Sequence, residues 1–184
     1  MSVDRKSTGF TLIELIVVII IIGILSAIFI PSYWNISRQA RIGTLEGIQG
    51  AMRSAIAITR SAALTQGVRV NPSNPGGGNA QNINLVQMDG LTVEVDWRNL
   101  CPESDPELGD ANGNNAISML DFLTMEDNPW GTSTVVDGGL YTHIDNQFTL
   151  IGYDIRTTGT GGCFVRYDSF GDPMCTVELI LTDC

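Results

Sequence analysis

The sequence predicts an α+β protein in which a long N-terminal helix packs against an antiparallel β-sheet head. Three patterns support this fold class: an unbroken apolar run at residues 10–30, apolar residues at helical spacing up to residue 63, and short alternating apolar and polar stretches after residue 90. An amphipathic helix and a one-sided sheet bury their apolar surfaces by packing together. We therefore divide the chain into a short leader, an apolar helix, its amphipathic continuation and a β-rich head, at residues 1–9, 10–31, 32–66 and 67–184.

The charge is divided unevenly along the chain. The 184 residues have a net charge of −10, with 7 basic and 3 acidic side chains in residues 1–70 and 3 basic and 17 acidic ones in residues 71–184. A nucleic-acid binder needs clustered Lys and Arg for phosphate contacts, so the acidic head excludes this class. A hydrophobic content of 43% excludes a disordered chain.

The apolar run from Phe10 to Ile30 contains 21 residues, and Glu14 is its only charged residue. A helix of that length measures about 31 Å, which is enough to cross a bilayer. Because Arg5 and Lys6 precede the run, the positive-inside rule places Met1 in the cytoplasm and the head outside. A secretory signal has a shorter apolar core with a cleavage site beyond it, so we expect this segment to be retained.

Glu14 lies inside the run rather than at its edge. A carboxylate in hydrocarbon costs several kcal/mol unless it is paired or neutralised, which indicates a function. The alternative is a side chain that simply reaches toward the membrane interface.

The sequence GFTLIE at residues 9–14 resembles the prepilin signal of type IV pilins and pseudopilins. The resemblance implies cleavage between Gly9 and Phe10 by a prepilin peptidase and N-methylation of Phe10. It also implies that Glu14 pairs with the Phe10 amine of a neighbouring subunit in a filament. Such a pair would neutralise both charges in an apolar filament core.

Gly23 and Pro31 also occur where type IVa pilins carry helix-loosening residues. Proline removes a backbone donor and disfavours helix at the preceding residue, and glycine weakens a helix, so we predict that residues 23–31 are the softest part of the helix. The resemblance implies that this stretch melts when subunits pack into a filament. Residues 40–58 are similar to the mannose-sensitive haemagglutinin branch of these pilins.

The continuation of the helix is amphipathic. Its apolar stripe predicts contact with the sheet and comprises Ile42, Leu45, Ile48, Met52, Ala55, Ile56, Thr59 and Ala63. Glu46, Arg53 and Arg60 repeat every seven residues on another face, which is either solvated or meets acidic surfaces of neighbouring subunits. Glycines at 43, 47 and 50 either allow close approach of another backbone or only soften the helix.

The head is predicted to begin after Gly67, which ends the helix. Strands are expected at 91–97, 148–155, 163–167 and 176–181, the last two joined by a turn at 171–173. The glycine-rich stretches 71–79 and 159–162 lack the sequence context of a phosphate-binding loop and are predicted to be ordinary loops.

Four cysteines in the translocated part of an exported protein predict two disulfide bonds, for which three pairings exist. A metal site is the rival interpretation, but the sequence has no C-x-x-C motif and His143 is its only histidine. The pilin resemblance implies that Cys163 pairs with Cys184, which leaves Cys101 with Cys175.

Residues 110–121 resemble a calcium loop of EF-hand or dockerin type. The oxygen ligands would occupy positions 1, 3, 5, 7, 9 and 12 of such a loop, and they are Asp110, Asn112, Asn114, the Ala116 carbonyl, Ser118 and Asp121. Asn115 stands where such loops have glycine, and Asp121 is shorter than the usual glutamate. The alternative is a polar surface loop, so the sequence predicts either no cofactor or Ca²⁺ at this loop.

Taken together, the resemblance implies the major structural subunit of a bacterial type IV pilus, which is not an enzyme. Its partners would be other copies of itself, the prepilin peptidase and the pilus assembly platform. The precursor would lie in the inner membrane and the mature chain in a surface filament for adhesion, motility or DNA uptake. The alternatives are a pseudopilin of type II secretion, a membrane-tethered enzyme and a tethered calcium-binding module.

Overall fold

The computed structural model describes residues 10–73, 84–106, 116–125, 134–156 and 161–184, apart from the side chains of residues 31, 32, 34 and 134–137. The predicted leader, residues 1–9, lies outside this description. The helices and strands of the described part are α1 (Leu12–Thr65), β1 (Leu85–Met88), β2 (Leu91–Glu94), β3 (Ala116–Ile117), α2 (Met119–Phe122), β4 (Thr134–Val136), β5 (Leu140–Ile144), β6 (Phe148–Asp154), β7 (Cys163–Asp168) and β8 (Thr176–Ile180).

Contacts divide the chain into two units, Met1–Ala40 and Arg41–Cys184. In the first unit, α1 exposes nearly every apolar side chain of the run, with 88% of Phe10 and 65% of Phe29 accessible. The helix continues through Gly23 and Pro31 without a break. A surface of this kind needs a membrane or other protein chains to cover it.

Helix α1 ends as the sequence predicts, at Gly67. The backbone of Gly67 is left-handed, with φ of +80°. Its N–H donates to the Leu64 carbonyl at 3.2 Å, and the Val68 N–H donates to the Ala63 carbonyl at 3.0 Å. This pair of bonds is a Schellman motif, which satisfies carbonyls that the end of a helix leaves free.

The core of the second unit lies between α1 and a five-stranded antiparallel sheet of order β4-β5-β6-β7-β8. The predicted apolar stripe of the helix, from Ile42 to Ala63, is confirmed, because all its members are buried except Ile42, which is half-buried. It packs against inward-facing residues of the sheet, which include Leu140, Ile144, Ile151, Val165 and Tyr167. The α+β fold class is therefore confirmed.

The strand predicted at 91–97 belongs to a second sheet, which the sequence analysis did not foresee. Its strand order is β1-β2-β3, with β1 and β2 antiparallel and β2 and β3 parallel. The turn Asp89-Gly90 has positive φ at both residues (46° and 83°), which matches the twist of a two-residue hairpin. This sheet covers the end of α1 at Ala63 through Val86 and Val93.

Residues 96–101 connect the small sheet to the loop between β7 and β8. The Asn99 side chain donates to the carbonyls of Ser169 (2.8 Å) and Gly171 (2.9 Å). The Arg98 guanidinium lies 4.3 Å from the centre of the Phe170 ring and also binds the buried Asp96 carboxylate at 2.6 Å. These contacts hold the β7–β8 loop in one position.

Gly152 is required where β6 and β7 are in contact. It is paired with Phe164 across the sheet, and a β-carbon at this position would collide with the Cys163 carbonyl and with Phe164. By contrast, a β-carbon on Gly50 of α1 would meet nothing within 4 Å.

This contrast gives a matched pair of substitutions. Gly152→Ala should lower the free energy of unfolding by about 2 kcal/mol or more, because overpacking moves backbone. Gly50→Ala should raise it by about 0.5–1 kcal/mol, because alanine favours helix. Thermal unfolding of a soluble fragment that begins at Arg41 measures both. An unchanged stability in Gly152→Ala would contradict the packing described.

Candidate functional site

The N-terminus of α1 is built around Thr11 and Glu14. The Thr11 backbone N–H and hydroxyl both donate to Oε2 of Glu14, each at 2.8 Å. The Thr11 hydroxyl oxygen in turn accepts from the Glu14 backbone N–H at 3.4 Å. This is a capping box, in which two side chains satisfy backbone donors that the start of a helix leaves free.

The second oxygen of Glu14, Oε1, accepts no hydrogen bond from the described residues, since both side-chain bonds use Oε2. The carboxylate is exposed, and it lies one helical turn from Phe10. An apolar covering of this helix would remove water from that carboxylate, which must then either take up a proton or pair with a cation. Cleavage after Gly9, which the prepilin resemblance implies, would create such a cation at Phe10 in the same chain or in a neighbouring copy.

The other predicted assembly residues of the mature helix are Gly23 and Pro31, and both lie within α1. A β-carbon on Gly23 would meet nothing within 4 Å, so this glycine is not needed for packing inside the subunit. Pro31 lies within α1, and its side chain is outside the description. Gly9, on the other side of the predicted cleavage point, is also outside the described residues.

Two disulfide bonds close the head. They join Cys101 to Cys175 and Cys163 to Cys184, which is the pairing that the pilin resemblance implies. The first fastens residues 96–101 to the start of β8. The second ties the last residue to the start of β7.

The predicted calcium loop lies only partly in the described structure. Asp110, Asn112 and Asn114 fall outside it, and Ala116 lies in β3. Ser118 and Asp121 cap α2 reciprocally: the Ser118 N–H donates to Oδ2 of Asp121 at 2.6 Å, and the Asp121 N–H donates to the Ser118 hydroxyl oxygen at 3.4 Å. Among the described residues, no three His, Cys, Asp or Glu side chains are grouped to hold a metal.

Two local features were missed by the sequence analysis, although the sequence contains their signals. The capping box at the start of α1 has the spacing T-x-x-E at residues 11–14. The β1–β2 hairpin has an Asp-Gly pair between two apolar runs, which is a strong hairpin signal. The capping role of Glu14 matters most, because it gives this carboxylate a second role besides charge pairing.

Comparison with known proteins places these features in context. The prokaryotic N-terminal methylation motif matches residues 4–30. The chain is 37% identical over 91 residues to the type IV narrow pilus major component PilA5 of Thermus thermophilus, covering 48% of this chain and 77% of that protein. It is 36% identical over 155 residues to the type IV major alpha-pilin of Moraxella bovis, covering 84% of this chain and 83% of that pilin.

A type II secretion system core protein G, from Pseudomonas aeruginosa, is 38% identical over 52 residues, which are 28% of this chain and 37% of that protein. No match was found among solved structures.

A methylation motif, an exposed apolar helix with one carboxylate and an α+β head together define a filament-forming subunit that starts in a membrane. Of the described helices, α1 is the one that is long and apolar enough to cross it. The chain belongs to the type IV pilins. Its precursor lies in the inner membrane and its mature form in a surface pilus. The narrower similarity of residues 40–58 to the mannose-sensitive haemagglutinin branch stays a prediction.

The disulfide pairing can be checked by peptide mapping without reduction. Trypsin cleaves after Arg98, Arg156 and Arg166, so Cys101 and Cys163 fall in separate peptides while Cys175 and Cys184 share one. A second cleavage after Glu178 separates these two cysteines. We expect one cross-linked peptide pair that contains Cys101 with Cys175 and another that contains Cys163 with Cys184. A peptide that links Cys175 to Cys184 would contradict the structure.

Proposed function

We propose that this chain is the major subunit of its pilus and polymerises through the apolar half of α1. The observation that carries the proposal is the single carboxylate of Glu14 in a 21-residue apolar run whose side chains are exposed. Supporting it, two relatives that this chain covers over three quarters or more of their length are named major pilus components. The head has a structural role in this proposal and no catalytic one.

Processing and assembly are linked through one charge pair. In the precursor, the nitrogen of Phe10 belongs to an uncharged amide. Cleavage after Gly9 by a prepilin peptidase creates an amine, and methylation of that amine keeps its positive charge. In the filament this amine pairs with Glu14 of a neighbouring copy, so the apolar helices pack together without an unpaired charge. The assembly platform extracts the cleaved chain from the inner membrane.

Substitution of Glu14 tests this proposal. Glu14→Ala should still be cleaved but should stay in the inner membrane, because its filament would bury an unpaired amine, a loss of several kcal/mol. Gly9→Arg should stay uncleaved and unassembled. Immunoblots of membranes and of sheared filaments measure both effects. The matched control is Glu46→Ala, the same change at the other glutamate of α1, which should leave filaments abundant.

Abundant filaments from either Glu14→Ala or Gly9→Arg would contradict this mechanism. The pseudopilin alternative shares the same N-terminal chemistry, and the similarity to a core protein of type II secretion supports it over 28% of the chain. It predicts a loss of protein secretion, with no surface filaments, when the chain is deleted.

We also propose calcium binding by residues 110–121. Its support in the described part of the chain is the exposed carboxylate of Asp121, which is held beside Ser118 at the start of α2. Capping of α2 uses Oδ2 of Asp121, and Oδ1 accepts no hydrogen bond from the described residues. A bound ion would attach the loop to this helix, which would give the head a calcium-dependent stability.

Thermal unfolding with and without calcium tests this site. At a calcium concentration 100 times Kd, the gain should be about 2.7 kcal/mol, which corresponds to a rise in Tm of about 5–10 °C. Asp110→Ala should abolish the rise, whereas Asp89→Ala, an exposed aspartate outside the loop, should keep it. An unchanged Tm of the native chain at millimolar calcium would eliminate the site.

A further inference from the structure

The arginines of the head are already paired within the subunit. Arg98 binds Asp96 at 2.6 Å, and Arg166 binds Glu178 at 2.5 Å. Arg156 contacts both Asp154 (2.8 Å) and Asp183 (3.3 Å). These three are the only basic side chains of residues 71–184, which contain 17 acidic ones. The head therefore keeps a large surplus of carboxylates that its own cations do not neutralise.

The arginines of α1 show the opposite situation. In the described part of the chain, none of the ion pairs involves an arginine of α1. Arg41 lies over the Tyr153 ring, and Arg60 donates through Nε to the Asn99 carbonyl at 3.1 Å. Arg53 is exposed and forms no hydrogen bond with the described residues. Of the two arginines on the predicted charged face, Arg60 is therefore bound within the subunit. The guanidinium of Arg53 is left available to a partner.

Arg53 and Arg60 border a groove of about 470 Å³ between α1 and the start of β8. Its apolar lining includes Ile56, Ala57 and Val177. The β7–β8 loop beside it is fixed by Asn99 and by the Cys101–Cys175 bond, so the groove is already formed in the single subunit. An apolar groove with the Arg53 cation at its rim suits a chain segment that carries a carboxylate.

Charge complementarity identifies the occupant. In a helical filament of identical subunits, one surface of each copy meets a different surface of the next. Every copy offers both an open arginine on α1 and surplus carboxylates on its head, in which exposed Asp89 and Asp172 take part in no ion pair among the described residues. The same chain can therefore supply both partners of each contact along the filament.

We propose that Arg53 and this groove receive a carboxylate-bearing segment of the head, residues 71–184, of a second copy in the pilus. The inference rests on the proposed function, because it needs a filament. An ion pair at a partly exposed rim contributes little affinity but selects the orientation and register of the docked partner. The contact should weaken as salt concentration rises.

The absence of lysine from residues 7–184 allows a direct test. Arg53→Lys keeps the charge and gives the filament its only side-chain amine. A carbodiimide joins an amine to a carboxylate in direct contact, so treated filaments of this variant should give a ladder of covalent oligomers on denaturing gels. Mass spectrometry should locate the new bond between position 53 and an acidic residue of a second head.

The native chain and Arg69→Lys are the controls. Native filaments have no side-chain amine, so any cross-link in them starts at the Phe10 amine and sets the background. Position 69 is exposed just beyond α1 and does not line the groove, so Arg69→Lys should add no cross-link at position 69 to this background. As a second variant, Arg53→Glu should lower the yield of filaments by about tenfold or more, because like charges then face each other.

The outcomes separate this inference from the proposed function. The inference is overturned if Arg53→Lys yields no filaments, if its filaments give no cross-link at position 53, or if that bond maps to Glu14 or Glu46. A cross-link of equal yield at position 69 in Arg69→Lys, or an unchanged filament yield in Arg53→Glu, overturns it as well. If the native chain makes no filaments, the proposed function fails instead.

Discussion

The single carboxylate in the apolar half of α1 must be neutralised wherever water is removed from it. Insertion of α1 into a membrane and its packing in a filament both depend on this requirement. In the isolated chain, Glu14 remains exposed and caps its own helix through Thr11. In a membrane or a packed filament, that hydrogen bonding leaves the negative charge uncompensated. In the proposed mechanism, cleavage between Gly9 and Phe10 supplies the cation, so Glu14 would distinguish the precursor from the mature subunit.

The two halves of α1 solve different packing problems with one helix. Residues 12–30 are apolar on all sides, which suits a helix covered from every direction. After residue 41 the apolar positions narrow to one stripe, and the sheets of the head cover it. The helix thus belongs to an intermolecular core at its start and to the core of the subunit at its end, where Gly67 stops it.

Much of this architecture can be read from sequence where a signal is local and repeated. The stripe from Leu45 to Ala63 and the strands at 148–155, 163–167 and 176–181 follow from periodicity, and their observed bounds differ by one residue at most. The division into two sheets does not follow from it, because the parallel pairing of β2 with β3 joins residues far apart in the chain. The sequence does not predict β5, because the strand lacks a clear alternation of apolar and polar residues. The polar residues Thr142 and His143 are both buried beside Ile144.

The candidate site divides in the same way. Glu14 stands out in sequence because it interrupts an apolar run, whereas the open state of Arg53 and the pairing of Arg98, Arg156 and Arg166 require coordinates. The net charge of the chain does not show this difference. The arginines of the head form ion pairs within the subunit, whereas among the described residues those of α1 form none.

The central claim is that this chain becomes a filament subunit only after cleavage creates a charged amine at Phe10. Electron microscopy of filaments sheared from the cell surface, followed by mass spectrometry of the intact subunit, tests it most directly. The account predicts filaments whose subunit begins at Phe10 and carries one added methyl group at its amine. Filaments built from a chain that retains residues 1–9, or surface filaments that lack this chain, would contradict it.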